Sequence, residues 1–417
     1  MSGPKGISLR AMGAATISRM KLAERMVGIG TETAFEAAAR ARALEAQGRD
    51  IIHLEIGEPD FDTPANIREA AKRALDDGWT HYGPPLGQPR LREAIAADAS
   101  MRKRFPVDPA NVVVTPGAKP IMYYALLALI EAGDEVIYPD PGFPIYESMT
   151  RFAGGTPVPI ALREENDFRM DPAEIRAAVT PRTKMIIFNS PHNPTGSVLT
   201  EAEIRSIADI ARENDITVLA DEIYGRGVYE GEHHSIAALP EMAERTIVLD
   251  GFSKAYAMTG WRLGYAILPP TLVEPFSKLI INSVSCTSSF EQIAAVEALT
   301  GPQDSVEQMV EEFRARRALI VDGLNAIPGF RSRMPAGAFY VFPNVAGTGM
   351  NGSELADKLL YDGGVCVLSG TAFGKVGVDH IRISYANSRE NLSRALERIA
   401  EVASKSRAAA PAQAVGT

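Results

Sequence analysis

Cysteine is scarce in this 417-residue chain: only Cys286 and Cys366 occur, far apart and without the spacing of a metal-binding pair. So few thiols exclude a disulfide framework and favour a reducing compartment, which we expect to be the cytoplasm. Basic residues are outnumbered, with 43 Lys and Arg against 52 Asp and Glu, and the formal net charge is −9. A nucleic-acid partner normally needs a basic face, so we expect none. The longest apolar run, residues 121–130, is too short to span a bilayer, and we expect no membrane partner.

Common nucleotide-binding and catalytic motifs are also missing. The chain has no G-x-x-x-x-G-K-[ST] phosphate loop, no G-x-G-x-x-G after a strand, no G-x-S-x-G elbow and no H-E-x-x-H helix. The six histidines are scattered, and His233-His234 lies in a polar Gly/Glu stretch that is more typical of a loop than of a metal site. ATP, NAD and zinc chemistry are therefore poorly supported, and we predict no metal.

The two ends of the chain differ from its middle. In residues 1–30 five basic side chains accompany a single acid, Glu24. A targeting peptide has this charge bias, but no long apolar stretch for a secretory signal is present, and we predict a flexible arm. Residues 404–417 are rich in Ala, Pro, Gln and Ser without apolar periodicity, which predicts a disordered tail.

Between the ends, apolar β-rich runs alternate with helical stretches. Strands are predicted at residues 112–115, 135–138, 184–189, 216–221, 246–250 and 264–268, with helices at 119–131 and 201–214 among them. Near-continuous Val, Ile and Leu in such strands indicate a sheet buried on both faces, hence an α/β fold. After Pro302 a long charged helix (306–324), short strands (338–342, 365–368, 381–385) and a last helix (389–403) indicate a second, smaller α+β unit.

Two predicted strands end at side chains that carry chemistry. The strand at 246–250 leads to Lys254, with Arg262 eight positions later. Desolvation and a neighbouring cation lower the proton affinity of a lysine and make it a nucleophile, although a lysine after a strand is more often a solvated surface residue. The strand at 216–221 ends at Asp221, three residues before Tyr224. That carboxylate could pair with a cationic group of a cofactor, or simply cap a helix.

Two further strand ends carry polar turns. The strand at 184–189 is followed by a Ser-Pro-His-Asn-Pro-Thr-Gly turn that contains Asn193, and Asn before Pro favours a turn in its own right. The strand at 112–115 leads into Pro-Gly117-Ala118-Lys119-Pro120, a tight turn and a helix start. The free N–H groups of such a helix start would face a phosphate, although many α/β turns look alike.

Together, and in this order, these four elements resemble the fold-type I pyridoxal-phosphate-dependent enzymes, specifically the class I/II aminotransferases. The resemblance runs from about residue 33 to about residue 402 and includes further matches: GEPDFDTP at 57–64, YGPPLG at 82–87, PAGAFY at 335–340 and IRISY at 381–385. It implies a large domain (61–300) with a mostly parallel seven-stranded sheet sandwiched by helices. It also implies a smaller α+β domain built from residues 31–60 and 301–403.

The resemblance implies an aminotransferase that moves an amino group between an L-amino acid and a 2-oxo acid. Lys254 matches the lysine that forms a Schiff base with pyridoxal 5′-phosphate and shuttles the proton, and Asp221 matches the carboxylate that keeps the pyridine nitrogen protonated. Tyr224 and Asn193 match the two groups that hydrogen-bond the phenolic oxygen of the cofactor. Phe143 matches the aromatic residue that stacks on its ring.

The same resemblance assigns the phosphate and the dimer. Gly117, Ala118, Lys119 and Arg262 match the phosphate-binding groups. Many relatives also carry a serine three residues before the lysine, where this chain has Gly251, and we expect Ser253 to take its place. Tyr82 matches the tyrosine that reaches the phosphate of the neighbouring subunit, which implies a homodimer with shared active sites.

Substrate recognition is only partly defined. Arg382 matches the arginine that binds the substrate α-carboxylate, with Gly57 and Asn193 beside it. For a second carboxylate, residues 282–290 offer no Lys or Arg. Lys119 is a candidate, but Glu32 aligns near that position and would repel aspartate by on the order of 1 kcal/mol. We therefore expect a broad range of donors, with aspartate as one option.

Two other functions are open to a chain with these residues. A pyridoxal-phosphate-dependent lyase or decarboxylase would share Lys254, Asp221 and Asn193, although the Met-Thr-Gly-Trp-Arg262 context favours transamination. An aminotransferase-like transcription regulator would need a DNA-binding module ahead of Gly57, and the acidic charge argues against it.

Overall fold

The computed structural model describes residues 21–27 and 29–409, with side chains through residue 405. In this part of the chain the strands are β1 (Ile52–His53), β2 (Val112–Thr115), β3 (Glu135–Asp140), β4 (Thr156–Ala161), β5 (Thr183–Asn189), β6 (Thr217–Asp221), β7 (Thr246–Gly251), β8 (Gly264–Ile267), β9 (Tyr340–Val341), β10 (Val365–Cys366), β11 (Leu368–Ser369) and β12 (Ile381–Ser384). Seven of them form the central sheet, in the order β2-β8-β7-β6-β5-β3-β4.

The helices between the strands account for most of the remaining chain. They are α1 (Thr33–Glu45), α2 (Ala65–Asp76), α3 (Pro89–Lys103), α4 (Lys119–Leu129), α5 (Ile145–Phe152), α6 (Pro172–Ala178), α7 (Glu201–Glu213), α8 (Pro270–Ser283), α9 (Ser289–Thr300), α10 (Asp304–Asn325), α11 (Gly352–Lys358) and α12 (Arg389–Ala409). A π-helical turn, Leu359–Gly363, follows α11 directly. Among the described residues no helix is long and apolar enough to cross a membrane.

The central sheet is mostly parallel, as the sequence predicts. Only β8 runs antiparallel to its neighbours, β2 and β7. Strands β2, β3, β6, β7 and β8 are buried along almost their whole length, and their Val, Ile and Leu side chains pack under helices on both faces. The predicted α/β class with a seven-stranded sheet is confirmed.

One strand of this sheet was not predicted. Strand β4 has the sequence TPVPIA and pairs only with β3, at the edge of the sheet. Proline cannot donate to a strand partner, and an edge strand needs donors on one side only. Pro157 and Pro159 therefore hide this strand from an inference based on strand propensity, while the edge position tolerates them.

The second unit brings the two ends of the chain together. Strand β1 pairs in parallel with β10, Ile52 opposite Val365, while β11, β12 and β9 form a small antiparallel sheet. The hydrophobic cluster around these strands includes residues of β1, α10 and α12. This pairing supports the predicted small domain of residues 31–60 and 301–403, whose boundaries remain a prediction.

The chain ends differ in part from expectation. Helix α12 continues to Ala409, so the predicted tail is wrong for residues 404–409. A lysine one turn after a glutamate extends the helix: Lys405 Nζ lies 2.6 Å from Glu401 Oε1. Residues 410–417 and, in the predicted arm, residues 1–20 and 28 lie outside the described residues. Arg25, within that arm, lies 5.8 Å over the ring of Phe152 in α5.

Six of the seven strands end at one edge of the central sheet, and four of them lead to predicted site residues there. Because β8 is antiparallel to both β2 and β7, the carboxyl ends of β2, β5, β6 and β7 share that edge. Open α/β sheets place their binding sites there. Strand β8 begins at the same edge with Gly264, directly behind the turn that contains Gly117.

Replacing Gly264 with alanine should strain this edge. A Cβ atom at Gly264 would lie 2.6 Å from the carbonyl carbon of Gly117 and 2.7 Å from Ala118 Cα, so the turn would have to move. We expect Gly264→Ala to destabilise the cofactor-free protein by about 1–3 kcal/mol, measured by urea unfolding. The matched control is Gly260→Ala, because a Cβ there has no heavy atom within 4 Å. Equal unfolding midpoints for the two variants would contradict the close packing of the turn.

Candidate active site

A cavity of about 550 Å³ opens at the carboxyl edge of the sheet. Most of the site residues predicted from the sequence line it: Gly57, Ala118, Lys119, Phe143, Asn193, Asp221, Tyr224, Ser253, Lys254, Arg262 and Arg382. Gly117 lies just behind this wall, against Arg262. Tyr82 does not line it, and its side chain is 90% exposed.

Lys254 lies three residues after β7, on the turn that follows the strand. Its Nζ donates to the backbone oxygen of Gly57 and lies 6.0 Å from the ring centroid of Tyr224. Desolvation in the cavity lowers the pKa of Lys254 to about 8, and the charges of Arg382 and Arg262 act in the same direction. A substantial fraction of neutral amine near neutral pH makes this lysine a nucleophile.

Asp221 is the last residue of β6 and is almost fully buried at the base of the cavity. Its Oδ2 accepts from the hydroxyl of Tyr146, 2.7 Å away, and its Oδ1 from the backbone N–H of Ile223 at 3.2 Å. Burial raises the pKa of Asp221 to about 6, against the effect of these two hydrogen bonds. Within the described residues no Lys or Arg forms an ion pair with it. The structure therefore presents a buried carboxylate to a cationic group of a ligand.

The turn after β5 holds a polar wall beside Asp221. Asn189 Nδ2 donates to the backbone oxygen of Asp221 at 2.8 Å, and Asn189 Oδ1 accepts from the backbone N–H of Asn193 at 2.8 Å. The hydroxyl of Tyr224 lies 2.7 Å from that of Tyr340. Asn193 and Tyr224 thus bring an amide and a hydroxyl to the same cavity.

The turn between β2 and α4 is shaped for an anion. Gly117 has a φ of +85°, and a Cβ there would lie 2.9 Å from Arg262 Cζ, so only glycine lets the guanidinium approach the backbone. Arg262 Nη1 donates to the backbone oxygen of Thr259 at 2.8 Å. Helix α4 begins at Lys119, and the unpaired N–H groups of a helix start attract phosphate.

Arg382, on β12, is buried, and one of its N–H groups has no hydrogen-bond partner among the described residues. Its Nη2 donates to the backbone oxygen of Glu55 and its Nη1 to Asn193 Oδ1 at 3.2 Å. The guanidinium lies between the rings of Tyr340 and Phe373, 4.7 and 4.8 Å from their centroids. Nε has no hydrogen-bond partner among the described residues. A planar cation held in this way suits a carboxylate ligand.

Lys119 is already paired. Its Nζ forms an ion pair with Glu32, just ahead of α1, and lies 5.5 Å over the ring of Phe143. The family resemblance implies that Glu32 lies near Lys119, and the structure joins the two side chains directly. The cavity therefore contains an internal acid–base pair in addition to Lys254, Arg262 and Arg382.

The donor set fits pyridoxal phosphate. A carboxylate that has no ion pair among the described residues, a nucleophilic lysine and an anion-binding turn lie around one cavity. They match the pyridine nitrogen, aldehyde and phosphate of that molecule. A Cβ atom at position 117 would collide with the guanidinium of Arg262, so this anion-binding turn requires a glycine there.

Sequence reasoning missed two contributors. Tyr146, which donates to Asp221, lies three residues after Phe143, and the helical spacing of these two aromatic residues was an available signal. Phe373, which covers one face of Arg382, comes from a short 3-10 turn and has no motif to identify it. Both side chains act on residues that the sequence did identify.

The lowered pKa of Lys254 is open to direct measurement in the cofactor-free protein. Acylation of the Lys254 amine, followed by mass spectrometry of the peptide, should rise with a midpoint near pH 8, because the neutral amine reacts and the ammonium ion does not. The Lys254→Ala variant should lose this labelled site. A midpoint above pH 10 would show that the cavity does not desolvate the amine.

Comparison with known proteins identifies the family. Residues 49–399 match the family model described as aminotransferase class I and II. The chain is 44% identical to an aspartate aminotransferase of Pyrococcus horikoshii, over 91% of this chain and 96% of that protein. It is 41% identical to aromatic-amino-acid aminotransferase 2 of Thermococcus litoralis, over 86% and 93%. The structure of Thermus thermophilus aspartate aminotransferase with maleate superposes with a TM-score of 0.89 at 39% identity, over 92% of this chain and 100% of that one. The chain belongs to the class I and II aminotransferases and is a pyridoxal-phosphate-dependent aminotransferase acting on small-molecule substrates.

Proposed function

We propose that this aminotransferase accepts a broad range of L-amino acids, aspartate among them, and that Lys254, Asp221 and Arg382 are the centre of its site. The observation that carries the proposal is the ion pair between Lys119 and Glu32 inside the cavity. It leaves Arg382 as the cation for the α-carboxylate common to all donors, and it neutralises the cation that would select acidic side chains.

The cofactor-binding roles follow from the donor set. Asp221 is suited to pair with the protonated pyridine nitrogen, and Arg262 with the turn at Gly117, Ala118 and Lys119 is suited to hold the phosphate. Tyr224 and Asn193 are suited to bind the phenolic oxygen, Phe143 to cover the ring, and Ser253 to add a phosphate contact. When bound, pyridoxal phosphate supplies the electron sink that makes the Cα proton of the substrate removable.

Lys254 is the group that handles that proton. Its lowered pKa lets the amine accept a proton near neutral pH and release it again, as transfer in both directions requires. Its position, within donor distance of the Gly57 backbone and over the ring of Tyr224, keeps it between the cofactor-binding wall and the substrate arginine.

Arg382 sets the orientation of the substrate. The contacts to Glu55 and Asn193 and the two flanking rings fix the plane of the guanidinium before a substrate arrives. Preorganisation of this kind lowers the entropy lost on binding. Gly57 lies beside it, and a Cβ there would overlap the hydroxyl of Tyr340, so a glycine is needed for this wall to close.

The side chain of the amino-acid substrate faces the ion pair of Lys119 and Glu32, which has no net charge. A neutral or aromatic side chain can bind without separating Lys119 from Glu32, whereas a second carboxylate has to displace Glu32 to reach Lys119. The names of the relatives include both aspartate and aromatic substrates, which supports a broad range over strict aspartate specificity.

We also propose a cytoplasmic homodimer. Tyr82 is exposed and outside the cavity, and Phe35, Ile281 and Val284 are exposed apolar side chains that a partner subunit could cover. The hydroxyl of Tyr82 would then reach the phosphate site of that partner. The two free cysteines, Cys286 and Cys366, are consistent with a reducing compartment.

A half-reaction scan tests the substrate range. Purified enzyme is mixed with each L-amino acid, and conversion of the cofactor to its amine form is followed by absorbance. We expect conversion with neutral, aromatic and acidic donors, and we expect Glu32→Gln to raise kcat/KM for aspartate relative to phenylalanine by roughly fivefold, because one repulsive charge is removed. The control, Lys119→Met, should lower the same ratio.

Two results would change this assignment. Conversion by aspartate alone would show strict specificity. Loss of the amino group or the carboxylate from the donor without formation of the amine form would indicate the lyase or decarboxylase alternative.

The role of Arg382 is tested by Arg382→Ala. Because the α-carboxylate is common to all donors, we expect kcat/KM to fall by at least roughly 100-fold for every amino acid, mostly through KM. Cofactor affinity should change little, since Arg382 contacts the substrate side of the cavity. A loss confined to acidic donors would move Arg382 to the side-chain site.

A further inference from the structure

A buried ionic cluster lies on the face of the sheet opposite the cavity. Lys103, the last residue of α3, has a fully buried side chain whose Nζ lies 2.6 Å from Glu222 Oε2 and 2.9 Å from Asp250 Oδ2. Arg102 lies 3.5 Å from the same Asp250 oxygen. Ser235 donates to Glu222 Oε1 at 2.7 Å.

Two acids of this cluster each lie one residue from a cavity-lining residue: Asp250 on β7, and Glu222 directly after β6, where its backbone N–H still pairs with the Leu249 oxygen of β7. Asp221 faces the cavity and Glu222, the next residue, faces Lys103; on β7, Leu249 lines the cavity and Asp250 faces Lys103. Successive side chains of a strand point to opposite faces, so one sheet separates the cofactor wall from the cluster. None of these cluster residues lines the cavity.

The charges of the cluster act on Asp221 through the sheet. Burial is the main cause that raises the pKa of Asp221, and the hydrogen bonds from Tyr146 and Ile223 lower it. The charges of Asp250 and Glu222 raise it further, by less than burial does.

Lys103 contacts both acids. In addition, His233 Nε2 lies 3.0 Å from Glu222 Oε2, and Arg102 contacts Asp250. The two acids in return raise the pKa of Lys103, although burial alone would lower it. Uncompensated, two acids would make a third buried carboxylate harder to ionise.

We propose that Lys103 is a positioning residue for the reaction: by neutralising Glu222 and Asp250, it keeps Asp221 ionised toward the cavity. The inference rests on the proposed role of Asp221 as the partner of the pyridine nitrogen. Lys103 touches neither substrate nor cofactor, and its effect is on which of the two partners, nitrogen or carboxylate, carries the shared proton.

The test measures whether the ring nitrogen carries that proton. Apoenzyme is reconstituted with pyridoxal phosphate labelled with ¹⁵N in the ring, and the nitrogen chemical shift is measured at a fixed pH near 7.5. For Lys103→Met we expect the ratio of protonated to unprotonated nitrogen to fall by roughly tenfold, since one charge is lost near Asp221. Arg102→Met, at the more exposed side of the cluster, should shift the signal in the same direction by less.

Glu222→Gln separates an electrostatic from a structural role. It breaks the same ion pair as Lys103→Met but removes a negative charge, and its amide still offers an oxygen to Ser235. We expect the nitrogen to stay protonated in Glu222→Gln, and we expect Glu222→Gln to restore protonation when combined with Lys103→Met or with Arg102→Met. Glu135→Gln, which breaks the ion pair with Arg182 at the amino end of β3, is the matched control and should leave the signal unchanged.

The outcomes separate the role of Lys103 from the proposed role of Asp221. If Lys103→Met does not fold, Arg102→Met and its combination with Glu222→Gln decide the question. Loss of protonation in Glu222→Gln, or failure of the double variants to recover it, would overturn the role of Lys103. If Asp221→Asn leaves the nitrogen protonated, the proposed role of Asp221 itself is wrong, whatever Lys103 does.

Discussion

The site depends on one unfavourable placement: the carboxylate of Asp221 is buried at the end of β6, and in the described part of the chain no Lys or Arg pairs with it. A charge in such a position is costly unless a partner arrives, and here the hydrogen bonds from Tyr146 and the Ile223 backbone stabilise it only in part. The pKa of about 6 reflects that balance. Binding of a cation is therefore favoured at this point of the cavity more than at any hydrated acid on the surface.

The other groups of the cavity are arranged around the same constraint. Burial lowers the pKa of Lys254 and raises the pKa of Asp221, so the two pKa values lie closer together than they would in water. Proton exchange between the site and the substrate is easier as a result. Arg382 stays a cation, and rings of Tyr340 and Phe373 shield it. An overall acidic protein thus holds three cationic side chains, Lys254, Arg262 and Arg382, at one edge of its sheet.

Residues at strand ends were predictable, and residues that meet through folding were not. Lys254, Asp221 and Asn193 follow apolar runs in the sequence, and parallel strands bring such ends together. Strand β4 was hidden by its prolines, and helix α12 extended further than its composition indicated. The contacts of Tyr146 with Asp221 and of Lys103 with Glu222 join parts of the chain 75 and 119 residues apart. The spacing of Phe143 and Tyr146 could single out the tyrosine ring, but it does not show which carboxylate that ring contacts.

The pairing of β1 with β10 has a consequence for the order in which the molecule is made. Arg382 and the Glu55 backbone that it contacts are 327 residues apart in sequence. During synthesis the strands of the central sheet leave the ribosome well before β10 and β12, so the cofactor wall can form early. The Gly57 backbone can meet Lys254 once β7 has been made, but the Glu55 backbone lacks Arg382 until nearly the whole chain has been translated. The substrate-binding half of the cavity is therefore the last part of this enzyme to be completed.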